Sequence, residues 1–209
     1  MGAFAEMVAH CFERDAGFKV VGFTAHERFL TAPRGRDLPL APFESLPDHF
    51  PPGEHRIFVA LECGRQNVGR SDALEEARAM GYRPASFISP SAQISSGARL
   101  GEHCLVLENS VIQYGAEIGA NNLIFANSFF GQSCLIGSSN YFGSGFFADR
   151  YSRIGSHCVF GSRVAVAESL TVSDWTSVRP FENIQESISL PTIIHPVLRT
   201  PGIVVDRRG

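Results

Sequence analysis

The chain has 209 residues, 44% of them apolar and 19% charged, with a formal charge of -3. These values give enough apolar mass for a core and exclude the basic footprint of a nucleic-acid or anionic-membrane binder. Five widely spaced cysteines (Cys11, Cys63, Cys104, Cys134, Cys158), with no CxxC pair and no leader peptide, suggest a reduced, cytoplasmic protein; no apolar run approaches the ~18–20 residues of a membrane span.

The first predicted element is a helix, FAEMVAHCFERDA at 4–16, with Phe4, Met7, Val8, Cys11 and Phe12 on one face. Gly2 stands just ahead of it. There a doubly wound domain turns from its first strand and can receive a phosphate, although a plain helix start uses glycine as well. Because the sequence starts at Met1, a first strand is expected either to be missing or to lie upstream. FKVVGFT (18–24) and RIFVALE (56–62) are predicted strands, and RSDALEEARAMGY (70–82) is a second helix. Residues 1–85 are therefore expected to form a small Rossmann-like α/β domain, a parallel sheet covered by helices.

From Phe87 the period changes to six. Every sixth residue from Ile88 to Val178 is large and apolar except Ala148, and glycine follows at 101, 119, 131, 137, 143, 155 and 161. Hexapeptides of this kind build a parallel β-helix: three make one triangular coil, and residues eighteen apart stack about 4.8 Å from each other. Residues 86–180 predict about five coils, with glycine easing the corner backbone. Cys104, Asn122, Cys134, Asn140 and Cys158 occupy a small inward position, where an Asn122–Asn140 ladder and buried thiols are expected. Nothing basic adjoins Cys134 or Cys158 to make a nucleophile of them. His103 and His157 share a corner column, about two coils apart, too far to hold a common metal; the expectation is no metal. Phe130, Phe142 and Phe160 point inward. Val111, Phe129 and Phe147 form an outward apolar stripe, which marks a subunit interface or an apolar ligand site. The tail, 181–209, leaves the hexad and is expected to cap the β-helix or contact a neighbouring subunit.

GAFAEMVAHCF, FKVVGFT, RIFVALECGRQNVGRSDALEEARAMGYRPASFISPSAQISSGARLG and the hexads after them resemble the left-handed β-helix sugar acyltransferases of the sialic acid O-acetyltransferase and bacillosamine or perosamine N-acetyltransferase type, over about residues 2–178. The resemblance implies a homotrimer, a nucleotide-linked sugar near the N-terminal domain and an acyl-CoA co-substrate, acetyl-CoA foremost, in the groove between β-helices. It implies substrate-binding positions at Gly2, Tyr114 and Asn127. It also places the family's histidine base at Gln132, flanked by Gly131 and Ser133 where an acidic partner is usual. A glutamine amide accepts no proton near pH 7, which leaves Gln132 and Ser133 to orient the reactants and His157 as a substitute base. One and two coils beyond Gln132, Arg150 and Glu168 stand on the CoA groove and can pair with each other. Two functions follow: an acyl-CoA-dependent acyltransferase acting on an amino or hydroxyl group of a sugar nucleotide, or a catalytically degenerate trimeric binding or scaffold protein.

Overall fold

The computed structural model describes residues 2–15, 17–30, 38–194 and 203–204. Helix α1 (Ala3–Asp15) begins immediately after the exposed Gly2. Two short parallel pairs follow: β1 (Phe23–Ala25) with β2 (Leu40–Pro42), and β3 (Arg56–Ile57) with β4 (Arg83–Pro84). A one-turn helix α2 (Leu46–His49) and the longer α3 (Val68–Ala79) lie between β2 and β4. The expected strands at 18–24 and 56–62 are thus shorter in the structure, and the pairs are separate rather than one sheet. α3 ends before Gly81, whose φ of +92 suits glycine alone.

Seventeen two-residue strands, β5 (Phe87–Ile88) to β21 (Asn183–Ile184), then wind into a parallel β-helix. Partners are eighteen residues apart throughout, as in Phe129 with Phe147 and Leu123 with Leu105. The first face carries the strands at 87, 105, 123, 141, 159 and 177, the second those at 93, 111, 129, 147, 165 and 183, and the third those at 99, 117, 135, 153 and 171. The rhythm therefore runs one strand past Val178, to Ile184. Val172 then bridges Ile188, Thr192–Ile194 joins the first face in parallel, and Ile203–Val204 pairs antiparallel with it. Ile188 and Ile194 pack on the end of the core; residues 195–202 and 205–209 of the predicted cap lie outside the described residues.

Inward side chains such as Ile112, Ile124, Phe130, Phe142 and Phe160 are fully buried; each contributes about 1.5–3 kcal/mol. Phe146, on a corner, is buried with them and packs 4.6 Å from the Phe142 ring. The asparagine ladder bonds through the backbone: Asn140 N–H donates to Asn122 Oδ1 at 2.9 Å, and Cys158 N–H to Asn140 Oδ1 at 2.7 Å. The hexad glycines serve a purpose other than the expected one. A Cβ on Gly131 would lie 2.6 Å from Arg150 N of the next coil, so crowding selects glycine there. The left-handed corner conformation falls two residues later, on Ser133, Tyr151 and their equivalents.

The outer side of the first face is apolar as well, and α1 covers it. Val8, Cys11 and Phe12 pack on Phe87, Leu105 and Leu123, with Phe12 and Phe87 ring centroids 5.8 Å apart. On the second face the Phe129 and Phe147 rings stack at 4.9 Å and 9° with Phe147 40% exposed, an apolar stripe open to a partner.

Candidate functional site

The corner between the second and third faces carries Tyr114, Gln132, Arg150 and Glu168 in one line, all exposed. Each coil grips the next: Ser133 N–H donates to Tyr114 O at 3.1 Å, Tyr151 N–H to Gln132 O at 2.9 Å and Ser169 N–H to Arg150 O at 3.0 Å. Ser133 holds φ +57 on this turn. Tyr114 covers Gly97 so closely that a Cβ there would meet its ring at 2.4 Å. The Gln132 N–H donates to Gln113 Oε1 at 3.1 Å, and the Arg150 N–H to Asp149 Oδ1 at 2.8 Å. Arg150 and Glu168 form the expected pair in forked geometry, Nε to Oε1 at 2.8 Å and Nη2 to Oε2 at 3.0 Å. Glu168 raises the affinity of the guanidinium for its proton by that hydrogen bond. The capping roles of Gln113 and Asp149 escape sequence reasoning, which followed the Gln132 column alone; that each stands first on its corner was the available signal.

The corner between the third and first faces holds His103, Asn121, Ser139, His157 and Trp175, again one per coil. His103 and His157 are therefore three coils apart, not two, or about 14 Å at strand spacing. This column is the joint to the N-terminal elements. His103 is fully buried and stacks on Phe58 at 4.5 Å; its Nε2 accepts Val59 N–H at 2.8 Å, so its Nδ1–H donates to Asn121 Oδ1 at 2.8 Å. Arg70 of α3, 1% exposed, sends Nε to Asn121 Oδ1 (2.9 Å) and Nη2 to Asn121 O (3.1 Å) and Asn140 O (3.0 Å). Its Nη1 donates to Leu61 O (3.1 Å) and Asn67 Oδ1 (3.2 Å). Burial lowers its pKa to about 10, so it remains charged at neutral pH. His157 stacks on Trp175 at 4.1 Å and lies with Nδ1 3.3 Å from Gln66 O. It stands on a different corner from Gln132 and Ser133. Arg65, Gln66 and Asn67, all in left-handed conformation, sit on this joint through Gln66 Nε2 to Trp175 O (2.9 Å) and Asn67 Nδ2 to Cys158 O (3.2 Å). At about 1–2 kcal/mol of strain per residue, the joint must hold them in place.

His103 links the joint to pH. Burial foremost, opposed by the Asn121 hydrogen bond and helped by Arg70, lowers its pKa to about 4. Above about pH 6.5 the imidazole is neutral in both the folded and the unfolded chain. As pH falls below that, the unfolded chain binds a proton that the folded one refuses until about pH 4, so stability declines across this window. The decline at pH 5 is about 2 kcal/mol. Urea midpoints at pH 7 and pH 5 are expected to differ more in the wild type than in His103→Gln; equal differences would contradict the assignment.

The remaining sequence-predicted residues lie apart from Gln132. Gly2 accepts the Glu6 N–H at 3.2 Å and leads α1, and Asn127 lies exposed on the corner between the first and second faces. Burial pushes the Cys104 thiol up to about 11 and Cys158 up to about 12, and raises Cys134, so these sulfurs stay protonated. Among the described residues no cluster of three or more His, Cys, Asp and Glu could hold a metal ion, and no helix is long and apolar enough to cross a membrane. A shallow groove on the third face, beside Glu117, Leu135 and Arg153, contains none of the singled-out residues.

The family profile of the GMPPB C-terminal domain matches residues 82–194, more than half of the chain. No curated protein matches it. Among solved structures, a mutant of perosamine N-acetyltransferase from Caulobacter crescentus in complex with CoA and GDP-perosamine superposes with a TM-score of 0.82 at 23% identity, covering 93% of this chain and 91% of that one. The acetyltransferase domain of PglB from Neisseria gonorrhoeae in complex with acetyl coenzyme A gives 0.83 at 19% identity, covering 98% and 95%. WeeI from Acinetobacter baumannii gives 0.79 at 16% identity, covering 98% and 97%. At these identities the likeness establishes a shared fold.

Proposed function

We propose that the chain, which belongs to the GMPPB C-terminal domain family, is an acyl-CoA-dependent acyltransferase that acylates an amino or hydroxyl group of a nucleotide-linked sugar. The observation that carries this reading is the superposition, over nearly the whole chain, on a perosamine N-acetyltransferase structure that holds CoA and GDP-perosamine and on an acetyltransferase domain that holds acetyl coenzyme A. In the same reading the β-helix is left-handed, residues 1–85 form a Rossmann-like unit for the nucleotide, and 86–180 form the catalytic β-helix with 181–209 as its cap. The chain is then a homotrimer joined through the Phe129 and Phe147 stripe, which sedimentation equilibrium at three times the monomer mass would support and a monomer would refute.

The reacting centre lies at Gln132. A neutral acceptor nitrogen attacks the thioester carbon, the C–S bond breaks as the tetrahedral intermediate collapses, and the ammonium proton goes to solvent or to the departing thiolate. Gln132 has no atom to take that proton, so its amide and the Ser133 hydroxyl orient the reactants. Arg150 and Glu168 flank the donor's path and Tyr114, one coil below, the acceptor's side; Gly2, at the start of α1, and Asn127, on another corner, lie apart from this centre.

Incubating the purified chain with acetyl-CoA and amino-sugar nucleotides is expected to release free thiol above the no-acceptor background. No release with any such acceptor would remove the reading. It would favour the second one, a catalytically degenerate binding or scaffold protein, whose specific support is the absence of a proton acceptor at residue 132.

A further inference from the structure

Within the coils, the N–H of the second corner residue stands outside the strand ladder and is free to meet another acceptor. On the joint corner, Ala120, Ser138 and Ser156 give theirs to Ser138 Oγ (3.1 Å), Ser156 Oγ (3.0 Å) and Asp174 Oδ1 (2.7 Å) of the coil above. On the Gln132 corner the nearest such donor above residue 132 is the Arg150 N–H, one coil or about 4.8 Å away. It is taken by Asp149 Oδ1 at 2.8 Å. One edge of the guanidinium of the same residue, Nε and Nη2, is taken by Glu168 through two contacts, at 2.8 and 3.0 Å. The backbone donor of Arg150 and this edge of its side chain are therefore bound to carboxylates of this chain, and Asp149, Arg150 and Glu168 together carry a formal charge of about -1.

An acyl-CoA arriving beside Gln132 needs what these carboxylates occupy. Its thioester oxygen, which gains negative charge as the nucleophile adds, calls for a fixed N–H. Its phosphates are repelled by unpaired carboxylates and attracted by a free guanidinium fork. We infer that Asp149 and Glu168 form a gate that keeps the site closed to its acyl donor, each carboxylate holding a donor group of Arg150 that the acyl-CoA must win from it. The gate rests on the acyltransferase reading of this corner. It deepens that reading by naming the residues that set donor affinity. Asp149 and Glu168 lie on the surface, and the Arg150–Glu168 side chains are 56% and 42% exposed, so displacing them requires no change in the core.

The test is titration calorimetry of acetyl-CoA, which carries the thioester oxygen, into the full chain and two double variants at fixed ionic strength. Asp149→Ala with Glu168→Ala removes both carboxylates, and acetyl-CoA is expected to bind at least about tenfold tighter than to the wild type. Asp149→Asn with Glu168→Gln removes the charges but keeps oxygens able to hold both Arg150 donors; the gain is expected to stay within about threefold. Equal binding by the wild type and the alanine pair would overturn the gate while leaving the reaction standing. So would an equal gain in the amide pair, which would reduce the effect to charge alone. If no folded form of the chain binds acetyl-CoA, the acyl-CoA reading falls, and the gate falls with it.

Discussion

Histidine in place of Gln132 is expected to accelerate acyl transfer by about 10²- to 10⁴-fold, the usual contribution of a positioned general base. The substitution suits the corner. Residue 132 is exposed, and its backbone is held by Gln113 Oε1 below and Tyr151 N–H above, contacts that do not depend on its side chain. The pH profile supplies a second readout. With glutamine no protein group at this position titrates, whereas the Gln132→His variant should gain activity as pH rises through the imidazole range near 6.5. Thiol release measured from pH 5.5 to 8 checks both. An unchanged rate and profile in a folded variant would place residue 132 away from the reacting atoms and return the site to an unassigned corner.

The second large effect is expected at Arg70. Methionine matches its length and removes the desolvated charge, yet it leaves Asn121 Oδ1 and the Asn121, Asn140 and Leu61 carbonyls without this donor. Asn121 Oδ1 keeps the His103 Nδ1–H and Asn140 O the Leu123 N–H. The cost of about 1–3 kcal/mol per buried acceptor left unpaired therefore falls on Asn121 O, Leu61 O and Asn67 Oδ1, and the relieved desolvation offsets part of it. Arg70→Met is expected to destabilise the chain by about 2–5 kcal/mol. Lysine should recover little, because one ammonium cannot reach acceptors spread over Leu61, Asn121 and Asn140. Urea unfolding would show this as a lower midpoint. A stability within about 0.5 kcal/mol of wild type would mean that the other contacts of the joint, Phe58 on His103 and Gln66 and Asn67 on Trp175 and Cys158, hold it without Arg70.

The β-helix was legible in the sequence because its period is set by geometry that every coil repeats: one wrong residue at Ala148 does not disturb the rhythm of Ile112, Ile118, Ile124 and Phe130. The Arg150–Glu168 pair was legible for the same reason, since stacking turns a separation of eighteen residues into contact. The two longer N-terminal helices were legible too, at Ala3–Asp15 from its apolar face and at Val68–Ala79. The extent and pairing of the strands were not, because short strands pair only where tertiary packing permits, as at Phe23–Ala25 and Arg56–Ile57. The glycine role was misread for a related reason. Residues such as Gly131 are required by the coil above them, a contact invisible to local conformational preference. Arg70 and Asn121 met the same limit, being partners fifty-one residues apart across no repeat. Of the site, the corner and its column could be read from spacing, whereas the side-chain caps on its amides needed coordinates.

The unbroken eighteen-residue register restricts how this molecule could change length. Adding or removing a single hexapeptide above Gln132 would advance every later residue by one face, carrying Arg150 off the Gln132 line, Asn140 off the Asn122 ladder and Trp175 off the joint. A whole coil would restore every column while moving the distal end by about 4.8 Å. Growth and shortening are therefore quantised: the site and the joint tolerate steps of three strands and are dismantled by steps of one.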